Sequence, residues 1–360
     1  MPLRNLLIAG VLVLSTHVFV GQSAVTPAGG PTEAAAYATN PKFVQAMREG
    51  KMYLAQHKAE FAKEDFDKAN KIAGGSCWNC LDGVYDAQFA EADFKGAIQT
   101  AQKMEGIAAT PPLKSMAEFD RGNAILTKAG DKAKPDQLEL AYEAFQQAVT
   151  TYPKNLAAMF REGQMLARLG KMDEAKTCFG QCVAMAKPTD PARLRAEHFA
   201  QDPILATRKQ APAFEVTALD GTRFNLDAMG GRVVLIDFWA TWCGPCNEAL
   251  PEVKKIAKEF AGEPLVILSI SWDSDEAKWR GFIEKNEMTW MQYRDADHVL
   301  SKEFGVEAIP HYFTIDSDGV LTAELVGSNS DVEGRLKKLV AKARDAQKQR
   351  VEAASVAGGQ

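Results

Sequence analysis

No run of five or more Lys or Arg residues occurs in the 360-residue sequence, and its formal charge is −5. That removes the signature of a polyanion-binding surface, so nucleic acid is not an expected partner. Cysteine is scarce. Six residues are too few to build a disulfide-held fold, yet enough for a redox function. Long apolar runs are also missing. The one stretch without charge, "LLIAGVLVLSTHVFV" at 6–20, is interrupted by Ser15, Thr16 and His17 and falls short of the roughly 20 apolar residues that cross a bilayer. Between 42 and 199 there are almost no β-branched runs, which argues against strands in that half of the chain.

What surrounds the apolar run has a purpose. "MPLRN" supplies a positive charge before it, and "GQSAVTPAGG" supplies small residues after it. This is the layout of a secretory signal peptide, assigned to residues 1–24, followed by an Ala-, Pro- and Gly-rich flexible leader at 25–41. An uncleaved anchor stays open as the second reading. No cysteine follows the run to carry a lipid. The expected location is therefore periplasmic or otherwise extracytoplasmic. There, a thiol pair needs a stable disulfide or a source of electrons.

Residues 42–199 are rich in Ala, Leu, Met, Glu, Lys and Gln and repeat themselves. "AKEDFDKANKI" (62–72), "AIQTAQKM" (97–104), "AYEAFQQAV" (141–149) and "AKTCFGQCV" (175–183) each begin on an alanine, and Ala62, Ala97, Ala141 and Ala175 lie 35, 44 and 34 residues apart. An amphipathic segment precedes each, such as "LAAMFREGQMLARLG" (156–170), and Pro153 and Pro188 close two units. The longer spacing reflects an insertion around "TKAGDKAKPDQ" (127–137). Paired helices at a period near 34 resemble tetratricopeptide repeats. The resemblance implies a curved array with an inner face for a peptide or protein. A rigid spacer or a dimerisation unit is the plainer alternative.

The pattern changes after "AQDPILATRKQAPAF" (200–214), read as a linker at 200–212. "RVVLIDFWA" (232–240), "PLVILSISW" (264–272) and "HYFTIDSDG" (311–319) are β-branched and aromatic runs bounded by turn signals. Helical segments lie between them, at 247–262, 274–286 and 295–305. The expected fold class is multidomain: an all-α helical-repeat domain at 42–199, then an α/β domain at 213–345, with a disordered tail at 346–360.

"VVLIDFWATWCGPC", together with "FGVEAIPHYFTIDSDG", resembles thioredoxin, in particular the TlpA-like branch of exported thioredoxin-family oxidoreductases. W-C-G-P-C after an apolar strand and opening an amphipathic helix is far more specific than a lone C-x-x-C. On this likeness Cys243 sits at a helix N-terminus, where free N–H groups favour thiolate, and attacks first. Cys246, one turn deeper, resolves the mixed disulfide. Gly244 and Pro245 fit the first turn. Asp237 interrupts the strand before the motif; burial would raise its pKa and suit it to take the proton of Cys246. Thioredoxin pairs this acid with a lysine on the next strand, and "PLVILSISW" has none. The resemblance makes Pro310, after Ile309, the cis-proline that faces the cysteines. Trp239 and Trp242 are expected to pack beside the disulfide and frame the docking surface. His311 is read as a surface residue. Glu248 stands one position before the glutamate that many TlpA-like domains carry, so it is turned by about 100° toward solvent; Ala249 occupies the usual place.

The remaining cysteines carry less. Cys178 and Cys182, four apart on a repeat helix, are read as buried core thiols. For Cys77 and Cys80, in "GGSCWNC", a local structural disulfide is favoured over free thiols and over redox exchange with the second domain. The lack of His after Cys80 removes c-type haem attachment. A zinc site joining distant repeats is disfavoured. No metal and no cofactor is expected beyond the redox-active disulfide Cys243–Cys246. The expected activity is an exported thiol-disulfide oxidoreductase, in the reducing direction, with a protein disulfide or dithiol as client and a membrane thiol as electron donor. The alternative is a repeat scaffold whose thioredoxin fold only binds. A peroxidase would need a T-x-x-C site, and none is seen.

Overall fold

The computed structural model describes residues 37–188 and 191–357. The expected signal peptide, most of the leader and residues 358–360 lie outside the described residues. Two compact units emerge. In one, helices α1 (Pro41–Ala55), α2 (Ala59–Ile72), α3 (Trp78–Ala90), α4 (Phe94–Ile107), α5 (Pro111–Ala129), α6 (Pro135–Thr151), α7 (Leu156–Arg168) and α8 (Met172–Met185) follow one another through short turns. Each packs on its neighbour in sequence, the arrangement of a one-dimensional helical array.

The repeat pattern has a packing cause. Ala62, Ala97, Ala141 and Ala175, on α2, α4, α6 and α8, are fully buried, which lets neighbouring backbones approach. Phe66, Phe145 and Phe179 then fill the space, each against a glycine. A Cβ at Gly83, Gly122 or Gly163 would come within 2.6, 2.6 and 2.8 Å of the facing phenylalanine ring. The second repeat departs from this, with Ala101 in the phenylalanine's place and Met104 after it, both fully buried. The insertion expected at 127–137 extends α5 and forms the turn before α6.

The other unit is α/β. Its five-stranded sheet has the order β5 (Met291–Arg294), β4 (Leu265–Ser271), β3 (Val233–Trp239), β6 (His311–Ile315), β7 (Leu321–Val326). β3 pairs parallel with β4 and antiparallel with β6. Every residue of β3 is buried, as a central strand covered on both faces requires. The helices are α10 (Gly244–Glu259), α11 (Glu276–Lys285), α12 (Val299–Glu303) and α13 (Val332–Ala357); a small hairpin of β1 (Glu215–Thr217) and β2 (Arg223–Asn225) precedes them. One core cluster joins Phe214, Phe224, Phe238, Phe304 and Phe313. Another joins Val233, Leu235 and Ile256 to Leu336 and Val340 of α13.

Two boundaries differ from the sequence reading. Residues 204–212, read as linker, belong to the α/β unit. Ala211 enters its core, Gln210 bridges to Val320, and Lys209 accepts a backbone bond from Leu321. Arg195 of α9 (Pro191–Gln201) joins the same unit through a 2.7 Å bond to Asp227 and a 2.8 Å bond to the Ala211 carbonyl. The tail read as disordered from 346 is helical as far as Ala357. Gln347 holds it by donating to the Gly231 carbonyl at 2.9 Å.

Candidate active site

β3 carries one acid in an otherwise apolar strand. Asp237 lies buried between Ser269 of β4 and Tyr312 of β6, its register partners. Ser269 Oγ donates to Asp237 Oδ2 at 2.9 Å and accepts from Trp290 Nε1 at 2.8 Å. Burial pushes the Asp237 carboxyl up to about 7, and the Ser269 bond pulls against that rise. Burial first, and then the Asp237 charge, raises the Tyr312 phenol.

The loop after β3 is clamped. The backbone N–H of Thr241 donates to Asp273 Oδ2 at 2.9 Å, and its hydroxyl donates to Oδ1 at 2.6 Å. Ser271 Oγ donates to the same carboxylate at 2.7 Å. Asp273 is buried at the end of β4, so the loop is fixed against the sheet.

Cys243 follows as the N-cap of α10, in extended conformation at φ −83° and ψ 108°. It is disulfide-bonded to Cys246, Cα to Cα 5.2 Å, and its Sγ accepts the Cys246 N–H at 3.1 Å. Gly244 and Pro245 form the first turn, where proline needs no N–H partner. Pro251 lies inside the same helix. Both sulfurs are nearly covered, each residue being 6% exposed. Ile309 packs against them, its carbonyl oxygen 3.7 Å from Cys243 Sγ, and the Ile309–Pro310 peptide is cis. Trp239, Trp279, Ile283 and Met288 complete the apolar bed. Trp239 is buried in it, whereas Trp242 is 64% exposed beside the motif. Glu248 faces solvent and Ala249 is buried.

His311 is not a surface residue. It is 4% exposed, stacked on Phe313 at 4.7 Å, with Nε2 3.1 Å from Glu324 Oε1. Every residue of β6 is buried, on both faces of the sheet. Burial lowers the imidazole pKa, while Glu324 pulls it up.

The other four cysteines separate into two kinds. Cys178 and Cys182 are buried thiols outside any disulfide, and Cys178 Sγ donates to the Met159 carbonyl at 3.1 Å. Cys77 and Cys80 are disulfide-bonded at the start of α3. Among the described residues no three His, Cys, Asp or Glu side chains gather as a metal site.

The Redoxin family matches residues 206–339. The thioredoxin-like protein YneN of Bacillus subtilis is 30% identical over 128 residues, which cover 35% of this chain and 74% of that protein. The chain belongs to the thioredoxin-like family. Thiol-disulfide oxidoreductase ResA of Bacillus anthracis is 27% identical over 143 residues, 39% of this chain and 83% of ResA. A solved thiol-disulfide oxidoreductase from Bacteroides fragilis has 28% identity and a TM-score of 0.34, covering 36% of this chain and 99% of its own. This thioredoxin-like protein is an oxidoreductase of the thiol-disulfide class.

Three supporting residues of this thioredoxin-like site were not found from the sequence. Ser269 is a polar residue inside "LVILSIS", and its place opposite Asp237 depends on strand register. Trp290 reaches Ser269 from the turn just before β5. Asp273 lies just past the end of β4 in "SWDSD", where a solvent-facing turn aspartate would be the ordinary reading.

Proposed function

We propose that this protein is an exported thiol-disulfide reductase that acts on protein disulfides through Cys243 and Cys246. The observation that carries the reading is the position of Cys243 as the cap of α10, its sulfur accepting the Cys246 N–H at 3.1 Å. Peptide N–H groups and the positive end of the helix favour negative charge on that sulfur.

The Cys243 thiolate attacks one sulfur of a client disulfide. The S–S bond breaks, one client sulfur leaves with the electron pair and takes up a proton, and a Cys243–client disulfide forms. Asp237, with its carboxyl near 7, accepts the proton of Cys246. The Cys246 thiolate attacks Cys243 Sγ, forms the 243–246 disulfide and releases the second client thiol. Two electrons have passed to the client. A membrane dithiol returns them by the reverse exchange, forming its own disulfide.

The polar Ile309 carbonyl beside Cys243 gives an extended client segment a backbone acceptor. The Gly-Pro pair between the cysteines resembles that of reducing members, which supports the direction. Export rests on the N-terminal sequence. The helical array, with each helix on its neighbour, supports a repeat-type surface for the client or for a partner. Insulin reduction in the presence of a dithiol tests the reading: wild type is active, and activity that survives Cys243→Ser would overturn it.

A further inference from the structure

We propose that Cys77 and Cys80 form a second exchangeable disulfide, reduced and reoxidised by a small soluble thiol. The two C-x-x-C motifs have almost the same local structure. Cys77 caps α3 at φ −86° and ψ 103°, as Cys243 caps α10 at φ −83° and ψ 108°. Each Cα pair is 5.2 Å apart. Cys77 Sγ accepts the Cys80 N–H at 3.2 Å, where Cys243 Sγ accepts the Cys246 N–H at 3.1 Å. The helix terminus that favours a Cys243 thiolate is therefore present at Cys77. Asn70 Oδ1 accepts the Cys77 N–H at 3.1 Å and fixes the cap.

A structural role explains this bond poorly. It closes a short ring, between residues three apart that one helical turn already holds together, and ring-closure stabilisation is small for short spans. The same unit buries Cys178 and Cys182 in the interior of α8 rather than at a helix cap, and neither is in a disulfide. Burial raises the Cys178 thiol, so it is a poor nucleophile.

Access decides the class of partner. Cys77 is 2% exposed and Cys80 fully buried, so a folded protein cannot dock on the sulfurs. Tyr37, Phe43 and Met47 cover them, all from α1 or the residues just before it. In α1 only Ala46 and Gly50 are buried outright, while Phe43, Met47, Tyr53 and Leu54 pack half-buried against the clusters beside it. Local opening of such an element costs less than global unfolding and admits a molecule the size of glutathione. A small thiolate then attacks Cys77 Sγ. The Cys77–Cys80 bond breaks, Cys80 takes the electron pair and a proton, and a Cys77 mixed disulfide forms. A second small thiolate attacks the added sulfur, releasing the small disulfide and leaving Cys77 as thiolate. Two electrons have entered the protein, and oxidised small disulfide reverses the exchange.

The test uses the full chain carrying Cys243→Ser and Cys246→Ser, so that it is independent of the other site. The protein is equilibrated with glutathione buffers from fully oxidised to fully reduced, then alkylated with iodoacetamide and mapped by mass spectrometry. Alkylation of Cys77 and Cys80 is expected to rise at least tenfold across the series and to fall back on reoxidation, with the helical circular dichroism unchanged. The unsubstituted chain, read residue by residue, guards against a folding defect and should give the same result. A bond that persists in every buffer until denaturant is added overturns the proposal. So does a bond lost only together with the helical signal, or two cysteines alkylated even in oxidised glutathione.

Discussion

Ser269 Oγ donates a 2.9 Å hydrogen bond to Asp237 Oδ2 across the parallel pair β3 and β4. The hydroxyl stands where the thioredoxin likeness leads one to look for a lysine. A neutral donor stabilises a buried carboxylate less than a cation does, and the carboxyl accordingly sits near 7.

Asp237→Asn should slow release of client from a trapped Cys243 mixed disulfide by about 10²-fold, the usual worth of a general base. In the wild type that release should accelerate as pH rises through about 7, the value for Asp237, and the variant should lack this rise. A single-turnover measurement from pH 5 to 9 checks it. An unchanged profile would remove Asp237 from the mechanism.

The same group sets a pH dependence of stability. Its folded pKa lies above the ordinary 3.8, so between those values the folded state holds a proton that the unfolded state has lost. Stability therefore falls as pH rises from about 4 to 7. Asp237→Asn should stabilise the protein at pH 8 by up to about 4 kcal/mol, with the gain vanishing near pH 4. Urea unfolding at the two pH values measures the difference.

Ser269→Ala removes the donor to the carboxylate. Asp237 should then titrate about one to two pH units higher, since a hydrogen bond to a charged group is worth about 1.5–3 kcal/mol. The midpoint of the single-turnover profile should move alkaline while Cys243 alkylation stays unchanged. Movement of both together would point to a general disturbance of the site.

Cys246→Ser leaves the attacking sulfur without its resolving partner. Clients should accumulate as mixed disulfides on Cys243, visible on non-reducing gels and released by dithiothreitol. Their absence in extracytoplasmic extracts would count against a protein disulfide as substrate.

Two glycines in one helix pair make a paired test of repeat packing. A Cβ at Gly163 would sit 2.8 Å from the Phe179 ring, whereas at Gly180 it meets nothing within 4 Å. Gly163→Ala should destabilise by about 1–2 kcal/mol through overpacking. Gly180→Ala should stabilise by roughly 0.5–1 kcal/mol through helix propensity. Thermal unfolding of the two variants should move in opposite directions.

Much of the site was legible because its chemistry is local in sequence. W-C-G-P-C sets the cap, the first turn and the one-turn spacing of the sulfurs within a single helix start. An acid inside "VVLIDFWA" reads as buried, because the apolar residues on both sides of it leave no face for solvent. The paired helices were legible from alanines recurring near every 34 residues. The short strands β1, β2 and β5 escaped notice, since three or four residues carry little periodic signal. The helix beyond 345 was missed because Gln347 is held by Gly231, 116 positions away.

The sequence by itself determined where the sulfurs stand on their helices, since a cap and a turn are decided by adjacent residues. Only the tertiary structure decided what faces them. Strand register placed Ser269 on Asp237, packing over both faces of the sheet buried His311, and packing of α1 covered Cys77 and Cys80. These are meetings of residues far apart in the chain, and they follow from how the elements pack, which no local pattern encodes.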